Sequence, residues 1–148
     1  MLNRSVGLLF LLICLSAASF GQTFTSSQPG PWDVASTWGG AGVPSAANST
    51  SIVVNHAVTV PNGFTATVDQ VTVAGSIIVS SGGILDVANG TGNDLTLTGA
   101  GSLDVTGTVS KQDLAVIIGT TAGNTNFRSG SRYQHLNTAS EGAVPLAT

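Results

Sequence analysis

The sequence predicts an all-β chain wound as a right-handed parallel β-solenoid, and two observations carry that prediction. One short unit is written twice. SIIVSSGGILDVANGTGN (76–93) aligns, position for position, with DLTLTGAGSLDVTGTVSK (94–111) directly after it. Ile77-x-Val79 falls on Leu95-x-Leu97, Gly83 on Gly101, and Leu85-Asp86-Val87 on Leu103-Asp104-Val105. Each copy also holds two brief alternating apolar segments around a small-residue turn. A unit this short buries its apolar face only against neighbouring copies. If one copy makes one turn, Leu85 lies on Leu103 and Val87 on Val105, roughly 4.8 Å apart. Parallel crossovers favour the right hand. An antiparallel β-sandwich is the alternative, because Asn62-Gly63 and Asn89-Gly90 are hairpin-turn pairs; the internal identity favours the solenoid.

The chain begins with Arg4, an uncharged apolar run from Val6 to Leu15, and small residues at Ser19 and Gly21. That is the layout of a secretory signal peptide over 1–21, cut after Gly21, or else after Ala18 or Ser19. Cys14 is not expected to carry a lipid, because Ile13 stands where a small residue is needed. After removal of 1–21, neither cysteine nor methionine remains. Lys111, Arg128 and Arg132 then face Asp33, Asp69, Asp86, Asp94, Asp104, Asp113 and Glu141, a net −4. A secreted chain without cysteine is not a disulfide scaffold, so repetition and hydrogen bonding must hold it. Mild acidity excludes a nucleic-acid partner, which calls for clustered Lys and Arg. No membrane span is expected once the signal is removed.

Residues 22–31 are polar and expected to be flexible, which leaves 32–148 as the solenoid domain, expected to be incomplete at its C-terminal end. Trp32 to Pro44 is a compact looped opening with both tryptophans, Gly39-Gly40 and Pro44. Ser45 to Ser51 is a small polar linker. Ile52, Val54, Val58 and Val60 share one alternating phase, which predicts one strand over 52–60 with His56 facing inward. Pro61-Asn62-Gly63 predicts a turn. Phe64, Ala66 and Val68 keep the even phase while Val71 and Val73 take the odd one, which requires a corner near Asp69. Beyond the two copies, Leu114, Val116 and Ile118 alternate again, and 127–136 is a further short strand. No stretch keeps the apolar period of a helix, so essentially no helix is expected.

Trp32, Trp38, Gly39, Gly40, Val43 and Pro44, followed by the Val/Ile stretch 52–60, resemble the opening of the eight-glycine domain. That is an all-β module of secreted and cell-surface proteins, with relatives at the start of large secreted bacterial β-helix proteins. Ser129 to His135 followed by Val144-Pro145 is similar to a second stretch of the same bacterial proteins. Ala47-Asn48-Ser49 departs from the Gly-Asp common there. The resemblance implies the N-terminal part of a longer exported surface protein.

Several residues invite a chemical reading. Trp32 and Trp38 would suit a sugar platform, but the end of a solenoid exposes core and strand edge. A structural cap built from Trp32, Trp38, Gly39, Gly40 and Pro44 is therefore the better expectation. Asp86 and Asp104 would stack like charges at rung spacing, a strain that Ca²⁺ would relieve or that water would screen. They lack the Arg, Lys or His that polysaccharide cleavage would need beside them. His56 and His135 lack the companions of a metal site. Thr96-x-Thr98 and Thr106-x-Thr108 face outward, but Ile78 and Ser80 interrupt any regular threonine array. The expected function is a non-catalytic structural or adhesion module, secreted or at the cell surface, meeting extracellular glycan or matrix, with no obligate cofactor. The alternative is a carbohydrate-binding or polysaccharide-cleaving β-helix protein whose active region lies beyond residue 148.

Overall fold

The computed structural model describes residues 21–119 and 124–136. The expected signal run, Cys14, and the terminal stretch with Glu141 and Val144-Pro145 lie outside the described residues. Within them, every strand pairing is parallel. That excludes the antiparallel sandwich. The chain is a β-solenoid of about five turns.

The first coil comprises β1 (Gln22–Thr25), β2 (Gly30–Pro31) and a 3-10 turn (Ala35–Trp38). Then come β3 (Ser49–Val54), β4 (Ala57–Val60) and β5 (Thr65–Val68) in the second, and β6 (Val71–Val73), β7 (Ser76–Val79) and β8 (Ile84–Val87) in the third. The fourth holds β9 (Leu95–Leu97), β10 (Ser102–Val105) and β11 (Thr108–Gln112), and the fifth β12 (Ile117–Gly119), β13 (Thr125–Phe127) and β14 (Arg132–Leu136). Like-placed strands stack into three sheets: β1-β3-β6-β9-β12, β2-β4-β7-β10-β13 and β5-β8-β11-β14. On its third side the first coil offers only a loop, whose Ala46 N–H donates to the Thr67 carbonyl at 2.8 Å.

Strands this short follow from the alternation. Most contribute one or two inward apolar side chains and then turn a corner. Stacked coils align them into continuous rows: Phe24, Ile52, Val71, Leu95 and Ile117 in the first sheet, and Ala66, Leu85, Val109 and Tyr133 in the third. Fully burying one such aliphatic side chain stabilises by about 1.5–3 kcal/mol. The corners are as specific as the rows. A Cβ on Gly101 would overlap the Val73 carbonyl oxygen, and one on Gly107 would overlap that of Ser80. Coil is laid directly on coil there.

Several expectations are corrected. The step from one sequence copy to the next is not one turn. Leu103 stacks on Ile77, while Leu85 lies between Ala66 and Val109. Coils are also unequal: along the second sheet the chain advances from Val58 to Ile77, then by a longer path to Leu103, then on to Thr125. The two similar copies are strand–corner–strand units on different sides of the prism: 76–87 passes from the second sheet to the third, and 95–105 from the first to the second. They resemble each other because every corner asks for the same small residues. The inward phase does hold, since Leu85, Val87, Leu103 and Val105 are all buried.

Residues 22–31 form the first coil rather than a flexible lead, with Phe24 and Ser26 buried. The single strand over 52–60 is two, broken by a corner at Asn55-His56, and its pairing begins inside the expected linker at Ser49. The corner expected near Asp69 is present, and Gln70 takes the left-handed conformation there (φ 55°). Beyond β11 the inward set stays on odd positions, opposite to the alternation of Leu114, Val116 and Ile118. Leu114 is 59% exposed and Val116 is exposed, while Ala115 is buried and Ile117 packs on the core. The compact opening also contains one turn of 3-10 helix.

Candidate functional site

The opening loop is built around its two indoles. Trp32 follows Pro31, the partner of Thr59, and so begins the inward row that continues through Val60, Val79 and Val105 to Phe127. The 3-10 turn brings Trp38 against it, ring centroids 4.9 Å apart at 65°. This edge-on geometry suits the ring quadrupoles. Trp38 Nε1 donates to the Trp32 carbonyl at 2.8 Å and Trp32 Nε1 to the Pro44 carbonyl at 3.0 Å. Gly39 and Gly40 both have positive φ, which ends the turn, and Pro44 is buried. Trp32 is 0% exposed and Trp38 2%. Neither ring presents a face on which a sugar could stack. Both fill the interior of the first coil, within the same apolar core as the strand rows.

Asp86 and Asp104 are not brought together. Asp86 lies on β8, between Thr67 and Ser110, and Asp104 on β10, between Ile78 and Asn126. They occupy different sheets, so the stacked carboxylates expected to attract Ca²⁺ do not exist. The physical reason is the register: the distance in sequence from Asp86 to Asp104 falls short of a full turn. Each has a neighbour on the following coil instead. Gln112 Nε2 donates to Asp86 Oδ2 at 2.7 Å. Arg128 grips Asp104 with two parallel bonds, Nε to Oδ1 at 2.5 Å and Nη2 to Oδ2. The hydrogen bonds from Arg128 hold the Asp104 carboxyl below the usual carboxylate range, against an opposing cost of burial and with a lesser contribution from the guanidinium charge. Reading Arg128 as the partner of Asp104 required the true coil length, which the similarity of the two copies concealed.

The two histidines sit far apart, on the second and fifth coils. His56, at the second coil's first corner, meets Ser26 of the coil before. The Ser26 hydroxyl accepts the N–H groups of Asn55 (2.9 Å) and His56 (3.1 Å), and His56 Nδ1 lies 2.9 Å from the Ser26 carbonyl and 3.1 Å from its hydroxyl. The carbonyl only accepts, so Nδ1 carries the proton and cannot serve as a base for the serine. His135, in the last coil, points inward above Lys111. Lys111 is 5% exposed and occupies the row of Val68 and Val87. Its Nζ donates to the Asp113 carbonyl at 2.9 Å and lies 3.1 Å from His135 Nε2. An ammonium against that nitrogen opposes metal binding there. Nearby, burial pushes the Tyr133 hydroxyl up from its ordinary value.

The outward threonines serve the stack as well. Thr98 and Thr106 donate their hydroxyls to the carbonyls of Val73 (3.2 Å) and Val79 (3.0 Å) in the preceding coil. One arrangement had no counterpart in the sequence reading: Asp94, fully buried before β9, with Asp69 on the corner before it. The available signal was Asp94 shortly after Gly90 in the same corner, since Gly90 N–H donates to Asp94 Oδ1 at 2.7 Å. Among the described residues, no three of His, Cys, Asp and Glu converge to hold a metal ion, and no helix is long and apolar enough to cross a membrane. Compared with family models, with curated proteins and with solved structures, the chain matches none.

Proposed function

We propose that this chain is a non-catalytic structural or adhesion module, exported and displayed as the N-terminal part of a larger secreted or cell-surface protein. One observation carries the reading: its chemistry-bearing side chains reach along the solenoid axis to the neighbouring coil. Arg128 reaches Asp104, Gln112 reaches Asp86, Thr98 and Thr106 reach back to Val73 and Val79, and His56 reaches Ser26. Such bonds fasten coil to coil and make a stiff rod whose stability adds up from neighbouring contacts. The resemblance of 32–44 to the eight-glycine opening, and the leader-like run at 6–15, support a place outside the cell. Extracellular glycan or matrix is the surface such a rod would meet.

Expression of the full chain in a secreting bacterial host tests the reading. The exported product is expected to begin at Gln22 by intact mass and to be retained on immobilised matrix polysaccharide without cleaving it. A soluble product that keeps Met1 refutes export. Release of new reducing ends from the polysaccharide refutes the non-catalytic role and favours a carbohydrate-cleaving protein.

A further inference from the structure

The corner from the third sheet to the first recurs once per coil, and on two successive coils it carries an aspartate. Asp69 precedes β6 and Asp94 precedes β9, with Val71 N–H donating to the Asp94 carbonyl at 2.9 Å. The Asp94 side chain is 0% exposed. Its Oδ1 accepts Gly90 N–H at 2.7 Å and its Oδ2 accepts Val116 N–H at 2.5 Å, so it ties its own corner to the next. The Asp69 carboxyl is pressed under Gly90, where an added Cβ would overlap Oδ2, and its Oδ1 is buried without a hydrogen-bond partner. The groups around Asp69 can be named side by side. Its own corner supplies the N–H and side chain of Gln70, and the following corner supplies the Asp94 carboxyl. The preceding corner, Ser45 to Asn48, has no ionisable side chain. One coil beyond stands Asp113, whose backbone carbonyl takes the Lys111 ammonium.

We propose that Asp69 and Asp94 form an acid-operated clasp between successive coils, closed when Asp69 carries a proton and can donate it to Asp94, and loosened when both are ionised. Asp94 has both oxygens engaged by N–H donors, which suits the acceptor role. Asp69 is the member left to carry the hydrogen, because two carboxylates confined together cannot both ionise freely. Burial pushes the Asp69 carboxyl up, and the Asp94 hydrogen bond and charge push it the same way, against the opposing donors of Gln70. The folded chain therefore takes up this proton at higher pH than the unfolded chain, where the group titrates near 3.8. Stability is gained as pH falls from the raised folded value to 3.8, and that gain is absent above the window. The Asp104–Arg128 pair acts oppositely: its contribution is complete above 3.8 and lost as pH falls through the lowered Asp104 value. Together they set a stability maximum in mild acid.

The test is thermal unfolding of the full chain at about pH 4.5 and about pH 7.5, with Asp69→Asn and Asp33→Asn beside wild type. Wild type and Asp33→Asn are expected to melt higher in acid. Asp69→Asn is expected to melt at neutral pH above wild type and to show less gain on acidification. A carboxyl ¹³C NMR titration of wild type reads Asp69 directly and is expected to place its midpoint above 3.8. An Asp69→Asn profile identical to wild type, or an Asp69 midpoint at or below 3.8, overturns the clasp. So does millimolar CaCl₂ raising the neutral melting temperature to the acid one, which would make the pair a cation site.

Discussion

Trp32 offers the sharpest test of how the solenoid begins. Replacing it by Ala removes a ring that is wholly buried, a truncation that costs about 3–5 kcal/mol. It also strips the Pro44 carbonyl of its indole donor, which adds about 1 kcal/mol. The bond from Trp38 ends on the Trp32 backbone carbonyl and survives the substitution. The expected loss is therefore about 4–6 kcal/mol, a large share of the roughly 5–15 kcal/mol that holds a domain of this kind. Trp32→Phe keeps an aromatic body over Val60 but not the N–H, and is expected to lose about 1–2 kcal/mol. Urea unfolding followed by far-ultraviolet circular dichroism measures both without relying on indole fluorescence. A loss under about 1 kcal/mol for Trp32→Ala at unchanged m-value would refute the placement of this ring in the core and return it to the surface as a binding face.

Other residues extend the test along the rod. Cysteines at Thr72 and Thr96, which are register partners, are expected to form a disulfide, because stacked residues lie within the usual Cα span of about 4.4–6.8 Å. Cysteines at Asp86 and Asp104 are expected to stay reduced, and non-reducing mass analysis separates the outcomes. Gly101→Val drives a side chain into the Val73 carbonyl and is expected to cost at least about 2 kcal/mol in chemical unfolding; a neutral result would mean the coils do not touch there. Lys111→Met replaces a buried ammonium in the row of Val68 and Val87 and is expected to be neutral or stabilising, so a loss above about 2 kcal/mol would show that the Asp113 and His135 contacts outweigh apolar packing.

Much of this architecture is legible in the sequence because side-chain alternation is a local property. The inward phase of Ile52, Val54, Val58, Leu85 and Leu103 needs only the period-two rule, and the structure buries all five. The corner near Asp69 shows itself as a phase jump between Val68 and Val71, and Gln70 absorbs the turn with positive φ. Coil length is not local. Leu85 and Leu103 look like equivalents because each follows a small-residue corner, although they face the core from different sheets. Self-similarity finds the corner unit, and only pairing between distant residues reveals how many corners close a turn. The same blindness hid Arg128 from Asp104 and Asp94 from Asp69, since each pair is separated by about one coil. Leu114 and Val116 misled for another reason: the large apolar residues shift to even positions after Lys111, while the inward set stays odd, so Ala115 and Ile117 face the core and Leu114 and Val116 face out.

The unequal coil lengths carry a consequence for how such a rod can change. The vertical spacing of the coils is set by the ladders. These stay in register whether a turn takes the short path from Val58 to Ile77 or the longer one from Ile77 to Leu103. Part of the difference gathers at exposed positions 89–93, between β8 and β9, where the path bulges from the prism while Leu95 still settles on Val71. Length at that vertex is mechanically uncoupled from the axis. Closing a longer flexible loop costs only about 0.6 kcal/mol for each doubling, so foreign segments can accumulate there as long as Gly90 keeps its place against Asp69 and Asp94 and Thr91 its bond to Gln70. The sides of the prism act as its ruler, and the vertices are where it can acquire ornament.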